Sequence, residues 1–411
     1  MGVTIMRILY LHQYFCPPQS NGGTRSYEFA RRLIANGHEV CMITSSAFLP
    51  HYDQASRVSR LNIAGIPTVV IHVPYSNAMS FRQRIRAFFQ FAWYASREAV
   101  CQEADVVFAT STPLTIAIPA IVARLRHRIP MVFEVRDLWP ELPIAVGALK
   151  NPLARVAARW LEWVAYHSSA HIIALSPGMA EGVITRGVSP DRVTVIPNSC
   201  DLDLFDVPPE HGYPIRDSLK LAPEQPLIVY TGTFGLINGV EYLVDVAAAM
   251  RTLAPDAHFL LVGDGARRGI ITQKARSAGV LGYNLTIWDP VPKVKLPAVM
   301  AAATVATSVF LPLKPMWNNS ANKFFDALAA GRPIAINYGG WQADLLRETG
   351  AGIVLPPDDP AEAAHQLASF VHDGARLRAA SEASRHLART RFDRDIAACQ
   401  LENVLRSVVG E

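Results

Sequence analysis

The chain has 411 residues, more than one hydrophobic core usually serves, so two domains of about 150 to 200 residues are expected and a single small module is excluded. Half of it is hydrophobic and 18% charged, a globular balance without room for a large disordered tail, and its five cysteines show no C-x-x-C spacing, against a disulfide framework or a zinc site. The net charge of +4 divides unevenly: residues 1–190 carry 18 basic and 11 acidic side chains and residues 191–411 carry 21 and 24, which favours an anionic partner for the first half, with a membrane surface and nucleic acid both open.

Met1 to Arg7 holds no apolar core of signal-peptide length, and the apolar run Ala301 to Leu313 is shorter than the ~20 residues that span a bilayer, so a soluble or peripheral protein of a reducing compartment is expected. Short apolar runs alternate with helical-period segments, the pattern of βαβ units and hence of an α/β class with parallel sheets. Strands are predicted near Arg7–His12, Glu39–Thr44, Thr68–Val73, Asp105–Ala109, Met131–Val135 and His171–Leu175. The proline-rich stretch Asp201 to Pro226 reads as an interdomain linker, after which strands are predicted near Leu227, Phe259, Leu285, Val305, Pro333 and Gly352. Two doubly wound domains follow, with ligands expected beyond the carboxyl ends of their strands, in a cleft between them.

The first strand runs into Pro17-Pro18 and then Gly22-Gly23-Thr24 ahead of a helical segment. Paired glycines there let backbone N–H groups approach an anion; the competing reading is a turn with Thr24 as N-cap. Gly263-Asp264-Gly265 forms a second glycine turn after a strand, yet Arg268 stands where a dinucleotide fingerprint needs its third glycine. Asn322-Lys323-Phe324-Phe325-Asp326 opens a helix closed by Gly331. A lysine in a first turn opposes the helix dipole, so a nearby anion would rationalise it, and Asp326 could accept from sugar hydroxyls; a solvated surface pair is the alternative. Glu134, Arg136, Asp137 and Glu141 place four ionisable groups in eight residues at a strand end, suited to orienting an acceptor hydroxyl or to a structural ion pair.

Phe81 to Tyr94 mixes Arg82, Arg84 and Arg86 with aromatics at helical spacing, resembling an interfacial helix, and Lys150 to Trp163 repeats the theme with Arg155, Arg159, Trp160 and Trp163; burial of the aromatics in a core is the alternative. No nucleic-acid module is recognisable, and no histidine cluster of metal-ligand spacing occurs.

The Gly22-Gly23 turn, the run Val195-Ile-Pro-Asn198-Ser-Cys-Asp201-Leu-Asp-Leu-Phe205, the Gly263-Asp264-Gly265 turn and Ala351 to Pro360 occur in the order found in retaining family 4 glycosyltransferases of GT-B fold, which the sequence resembles over nearly its whole length. Arg136-Asp137-Leu-Trp-Pro-Glu141 with Asn322-Lys323 is similar to the subgroup that builds bacterial surface polysaccharides, including amino-sugar transferases of O-antigen and capsule synthesis. The resemblance implies an N-terminal Rossmann-like acceptor domain over residues 1–205, a C-terminal nucleotide-sugar domain over 206–388 and a helix over 389–411 packing back on the first domain. It further implies donor or acceptor contacts at Gly22, Gly23, Arg136, Glu141, Asn198, Gly232, Thr233, Gly263, Asp264, Gly265, Asn322 and Asp326, and catalytic places for Asp137 and Lys323.

Two departures from that pattern stand out. Asn318 falls where the family's E-x7-E motif has its first glutamate, and Thr233 and Asn238 stand where many members hold the diphosphate with an arginine and a lysine. Lys323 is then the expected substitute, because charge builds on a leaving diphosphate as the glycosidic bond breaks.

The expected activity is metal- and cofactor-independent transfer of an N-acetylated amino sugar from a UDP-sugar, with retention, to a lipid-linked or oligosaccharide acceptor. The expected place is the inner face of the cytoplasmic membrane, peripheral to its anionic surface. A sugar-nucleotide-binding protein without transfer, or an epimerase or hydrolase of the same fold, is the alternative.

Overall fold

The computed structural model describes residues 4–20, 22–49, 56–75, 79–141, 144, 147 and 149–410. Met1, Asn21 and the Phe81 side chain, which fall in segments singled out above, lie outside the described residues. The chain divides into two compact units, Met1–Pro197 with Asp395–Glu411, and Asn198–Arg394. The crossings thus fall at 197/198 and 394/395, against 205/206 and 388/389 expected from sequence.

Among the described residues the first unit holds an eight-stranded sheet in the order β3-β4-β2-β1-β5-β6-β7-β8, parallel except for the β3–β4 pair. Its strands are β1 (Arg7–Leu11), β2 (Glu39–Ser45), β3 (Val58–Ile63), β4 (Ile66–Ile71), β5 (Val106–Thr110), β6 (Met131–Val135), β7 (His171–Ala174) and β8 (Val193–Val195). β1, β5 and β6 are near-continuous apolar runs because helices cover both faces of the sheet. On one face α2 (Phe81–Ala99), α3 (Ala117–His127) and α4 (Pro152–Ser168) pack over Leu9, Leu11, Val107 and Phe133. On the other, α1 (Arg25–Ala35) and the C-terminal helix Arg394–Val409 bury Phe29, Leu33, Ala398, Leu401 and Leu405 against Ile8, Tyr10 and Phe108. Helix starts are specified locally. Ser80 and Gln83 form a reciprocal capping box on α2, Asn151 caps α4 ahead of Pro152, and Ser176 caps α5 (Pro177–Ile184) ahead of Pro177.

The second unit has a six-stranded parallel sheet, among the described residues, in the order β11-β10-β9-β12-β13-β14. The stretch expected to be a linker instead belongs to this unit and folds into α6 (Leu202–Phe205), a 3-10 turn at Pro209–Gly212 and α7 (Tyr213–Ser218). Then come β9 (Leu227–Thr231), α8 (Glu241–Leu253), β10 (His258–Val262), α9 (Arg268–Ser277), β11 (Leu285–Trp288), α10 (Leu296–Ala302), β12 (Val305–Ser308), α11 (Asn322–Ala329), β13 (Ile334–Ile336), α12 (Trp341–Thr349), β14 (Gly352–Val354), α13 (Pro360–His372) and α14 (Gly374–Thr390). Both units are doubly wound and Rossmann-like. The strand order reverses between β1 and β5 in the first and between β9 and β12 in the second. Ligand crevices in open parallel sheets lie at such reversals, beyond the carboxyl ends of the strands.

Candidate functional site

In the second unit the reversal brings together the segments after β9 and β12, and Lys323 in the first turn of α11 reaches into the same place. Its Nζ lies 3.3 Å from the Tyr230 hydroxyl, 4.9 Å from the centroid of the Tyr230 ring and 4.7 Å from that of Phe310. The Asn238 amide, oriented with its oxygen toward Lys323 Nζ at 3.2 Å, turns its nitrogen to the Thr233 carbonyl at 3.1 Å. Each of these neighbours is neutral, and among the described residues no carboxylate pairs with Lys323. Burial pushes its pKa down to about 7, because a desolvated ammonium without a counter-ion favours losing its proton.

The glycines around it have distinct duties. Gly232 sits at φ +146°, and a Cβ there would come within 3.3 Å of Lys323 Cε and 3.4 Å of the Tyr230 oxygen, so glycine keeps this wall of the site open. A Cβ on Gly263 would lie 1.9 Å from the Gly232 carbonyl oxygen, and one on Gly265, at φ +155°, 2.6 Å from that of Phe234. Both positions therefore serve the contact of two loops, fixed by hydrogen bonds from Phe234 N to the Asp264 carbonyl and from Gly232 N to the Val262 carbonyl. Asp264 and Thr233 are exposed, and Asn322 is half-buried at the start of α11.

Two residues expected to bind substrate are taken up by protein contacts. Asp326 is buried in an ion pair with Lys293, which also lies 3.8 Å from Asp201, itself paired with Arg394 at 2.8 Å. One oxygen of its carboxylate is thereby held by Lys293 within the protein. Asn198 is buried too: its backbone N–H donates to the Ser320 hydroxyl at 3.0 Å and its side-chain amide to the Ser320 carbonyl, fastening the chain to the segment before α11.

In the first unit the reversal gathers the ends of β1, β5 and β6. Thr24 gives no side-chain cap to α1, contrary to the turn-and-cap alternative, and a Cβ on Gly22 would fall 2.5 Å from Cys16 Sγ. Gly23 is half-buried beside it. The ionisable cluster at the end of β6 splits by function. Glu134 is fully buried and paired with Arg25, whose guanidinium also donates to the Ile196 and Pro197 carbonyls. Glu141 pairs with Arg186, which lies 3.5 Å from Glu162 of α4. Only Arg136 and Asp137 stay together. The Asp137 carboxylate accepts from the Thr112 hydroxyl at 3.2 Å; burial raises its pKa, opposed by Arg136 and that hydrogen bond.

Arg136 also lies 3.4 Å from His12 Nε2, and His12 Nδ1 meets the Ser26 hydroxyl at 2.5 Å. Burial, with Arg136 adding to it, drives the His12 pKa well down, so the ring is neutral. His12 escaped the sequence reading; its place one residue beyond the first strand, at the reversal, was the available signal. Tyr230, Asn238 as a lysine partner, and Phe310 were missed as well. Among the described residues no group of three or more His, Cys, Asp or Glu could hold a metal ion.

Two Rossmann-like units in series, each with polar or charged groups at its strand reversal, define a doubly wound α/β protein of two domains. Residues 22–199 match the family described as Glycosyl transferase 4-like domain and residues 225–373 the family described as Glycosyl transferases group 1; by these two matches the chain belongs to the GT-B glycosyltransferases. It is 24% identical over 242 residues to 2-deoxystreptamine glucosyltransferase of Streptomyces kanamyceticus, spanning 58% of this chain and 60% of that one. It is 23% identical over 305 residues to the putative colanic acid biosynthesis glycosyl transferase WcaI of Escherichia coli, covering 70% and 74%. In fold it is similar to Anabaena HepE, crystallised with UDP and glucose, with a TM-score of 0.71 at 18% identity over 98% of this chain and all of that one.

Proposed function

We propose that this protein transfers a sugar from a nucleoside-diphosphate donor held by the second unit to an acceptor hydroxyl received by the first. The observation that carries the reading is Lys323: a half-buried ammonium with only neutral partners among the described residues, at the strand reversal where a ligand is expected. As the bond between the sugar C1 and the diphosphate oxygen breaks, its electron pair leaves with the phosphate, and Lys323 with the first-turn N–H groups of α11 meets that growing charge. In the first unit Asp137, held by Thr112 beside Arg136, is placed to orient the acceptor hydroxyl, with neutral His12 behind Arg136. The chemistry proposed needs no metal.

The finer reading is a UDP-linked N-acetylated amino sugar, retention of configuration, and a lipid-linked saccharide acceptor in O-antigen or capsule synthesis. The relative named for colanic acid biosynthesis supports the surface-polysaccharide part of this reading, and the UDP-bound structure of similar fold supports a UDP-linked donor.

The test is thermal stabilisation by a panel of nucleotide sugars, since a ligand that binds only the folded state raises its melting temperature. UDP-sugars are expected to stabilise the wild type and to lose that effect in Lys323→Ala. Equal stabilisation of both proteins removes Lys323 from the donor site. Turnover with a saccharide acceptor, followed by the anomeric coupling of the product, decides transfer and retention.

A further inference from the structure

No helix among the described residues is long and apolar enough to cross a membrane, yet α4 carries apolar side chains on two faces. Its inward face buries Ala165 and Tyr166 in the core of the first unit, together with Glu162, which shares Arg186 with Glu141. Its outward face exposes Leu153 (78%), Val156 (64%), Trp160 (64%) and Trp163 (53%) at positions i, i+3, i+7 and i+10, one continuous stripe. An amphipathic helix covering a sheet normally turns a polar face outward. On the same face of the sheet α3 packs between α4 and α2, and α2 exposes Phe89 and Trp93 on the stripe that also carries Arg82, Arg86 and Arg97.

The charge of this face has one sign. α2 carries four arginines, and α3 and α4 two each. Against them stand Glu98, paired with Arg60 at 2.7 Å, and the buried Glu162. Exposed tryptophans beside exposed arginines suit the boundary between acyl chains and headgroups. The absence of any exposed, unpaired carboxylate on these three helices gives anionic headgroups a complementary field.

We propose that α2, α3 and α4 form a docking face that lies in the surface of an anionic lipid bilayer, with Trp160 and Trp163 at the level of the headgroups. The value of this placement to a transferase rests on the lipid-linked acceptor proposed above; the docking itself does not.

Full-length protein is sedimented with phosphatidylcholine vesicles with and without phosphatidylglycerol, as wild type, as Trp160→Ser with Trp163→Ser, and as Arg86→Gln with Arg159→Gln. Wild type is expected to partition onto the anionic vesicles. The tryptophan pair should weaken that partition about tenfold or more, and the arginine pair should weaken it and flatten its salt dependence. Equal partition of all three proteins, or none by the wild type, overturns the proposal. So does a wild-type dimer that the tryptophan variant converts to a monomer, since the stripe would then be a self-contact. Brominated lipids provide a reading independent of variant folding: wild-type tryptophan emission must be quenched on anionic vesicles, and unquenched emission overturns the proposal. UDP-sugar stabilisation, read on the same samples, separates the outcomes: lost docking with intact stabilisation leaves the donor site standing.

Discussion

Helix α11 carries two buried or half-buried charges one turn apart, and their surroundings could hardly differ more. Asp326 enters a chain of alternating signs, Asp326, Lys293, Asp201 and Arg394, in which Lys293 also lies 5.1 Å from the centroid of the Phe205 ring. That chain ties α11 to the segments where the polypeptide enters and leaves the second unit, which are themselves joined by hydrogen bonds from Cys200 N to the Phe392 carbonyl and from Arg394 N to the Cys200 carbonyl. Lys323 has a hydroxyl, an amide oxygen and two aromatic faces and, among the described residues, no counter-charge. Desolvating a charge without pairing it destabilises the folded state, so a protein that keeps such a group has another use for it. Paired charge marks the frame here and unpaired charge marks the site.

The largest effect should come from breaking the frame. Asp326→Ala leaves Lys293 buried without its closest partner, and loss of roughly 3–5 kcal/mol of stability is expected in denaturant unfolding. A loss below about 1 kcal/mol would show that Asp326 is not part of the frame. Lys323→Ala is the converse case: turnover should fall about 10²-fold, near 2.7 kcal/mol of transition-state stabilisation, while the unfolding midpoint does not drop, because a desolvated ammonium has been removed. If stability falls and turnover holds, the assignments of the two residues are reversed.

Between them in nature and below them in size is Gly263→Ala. The new Cβ must displace the Gly232 carbonyl, at a cost of about 1–3 kcal/mol, and with it the wall beside Lys323. Weaker UDP-sugar affinity is expected together with lower stability. Unchanged affinity would detach the loop contact from the donor site.

The contrast between frame and site also explains what could be read in advance. Lys323 stood out because a first-turn cation contradicts the helix dipole, and the glycine turns because they interrupt the chain at strand ends. The partners of Asp326 left no such trace: Lys293 is 33 residues away, and the Asp201–Arg394 pair spans 193, distances at which spacing carries no information. Among the strands, β3 was missed because it is a polar edge hairpin, with Ser59, Arg60 and Asn62 on a six-residue strand turned at Ala64-Gly65, both at positive φ. β8 was missed because it is a short edge strand whose three residues are only half-buried, so no buried apolar run marks it. The segment 201–226 was misread because its prolines suggested a linker, whereas Pro209 and Pro214 occupy first-turn positions, where their missing N–H and fixed φ favour a helix.

The smallest predicted effect tests the state of Lys323 directly. With a pKa of about 7 in the free protein, the lysine is largely protonated at pH 6 and mostly neutral at pH 8. A diphosphate binds the protonated form and raises its pKa, so binding above pH 7 must take up a proton. Affinity for a UDP-sugar, whose diphosphate does not titrate in this range, should therefore be level below pH 7 and about tenfold weaker at pH 8 than at pH 6. Calorimetry in buffers of different ionisation enthalpy should report the uptake of up to one proton. Glu162, pushed up to about 7 by burial and by Glu141, titrates in the same window, but it lies in the first unit. Lys323→Met separates the two: it should abolish both the slope and the proton uptake if the lysine is their source, and a slope that survives in this variant refutes the unpaired ammonium as the donor's anchor.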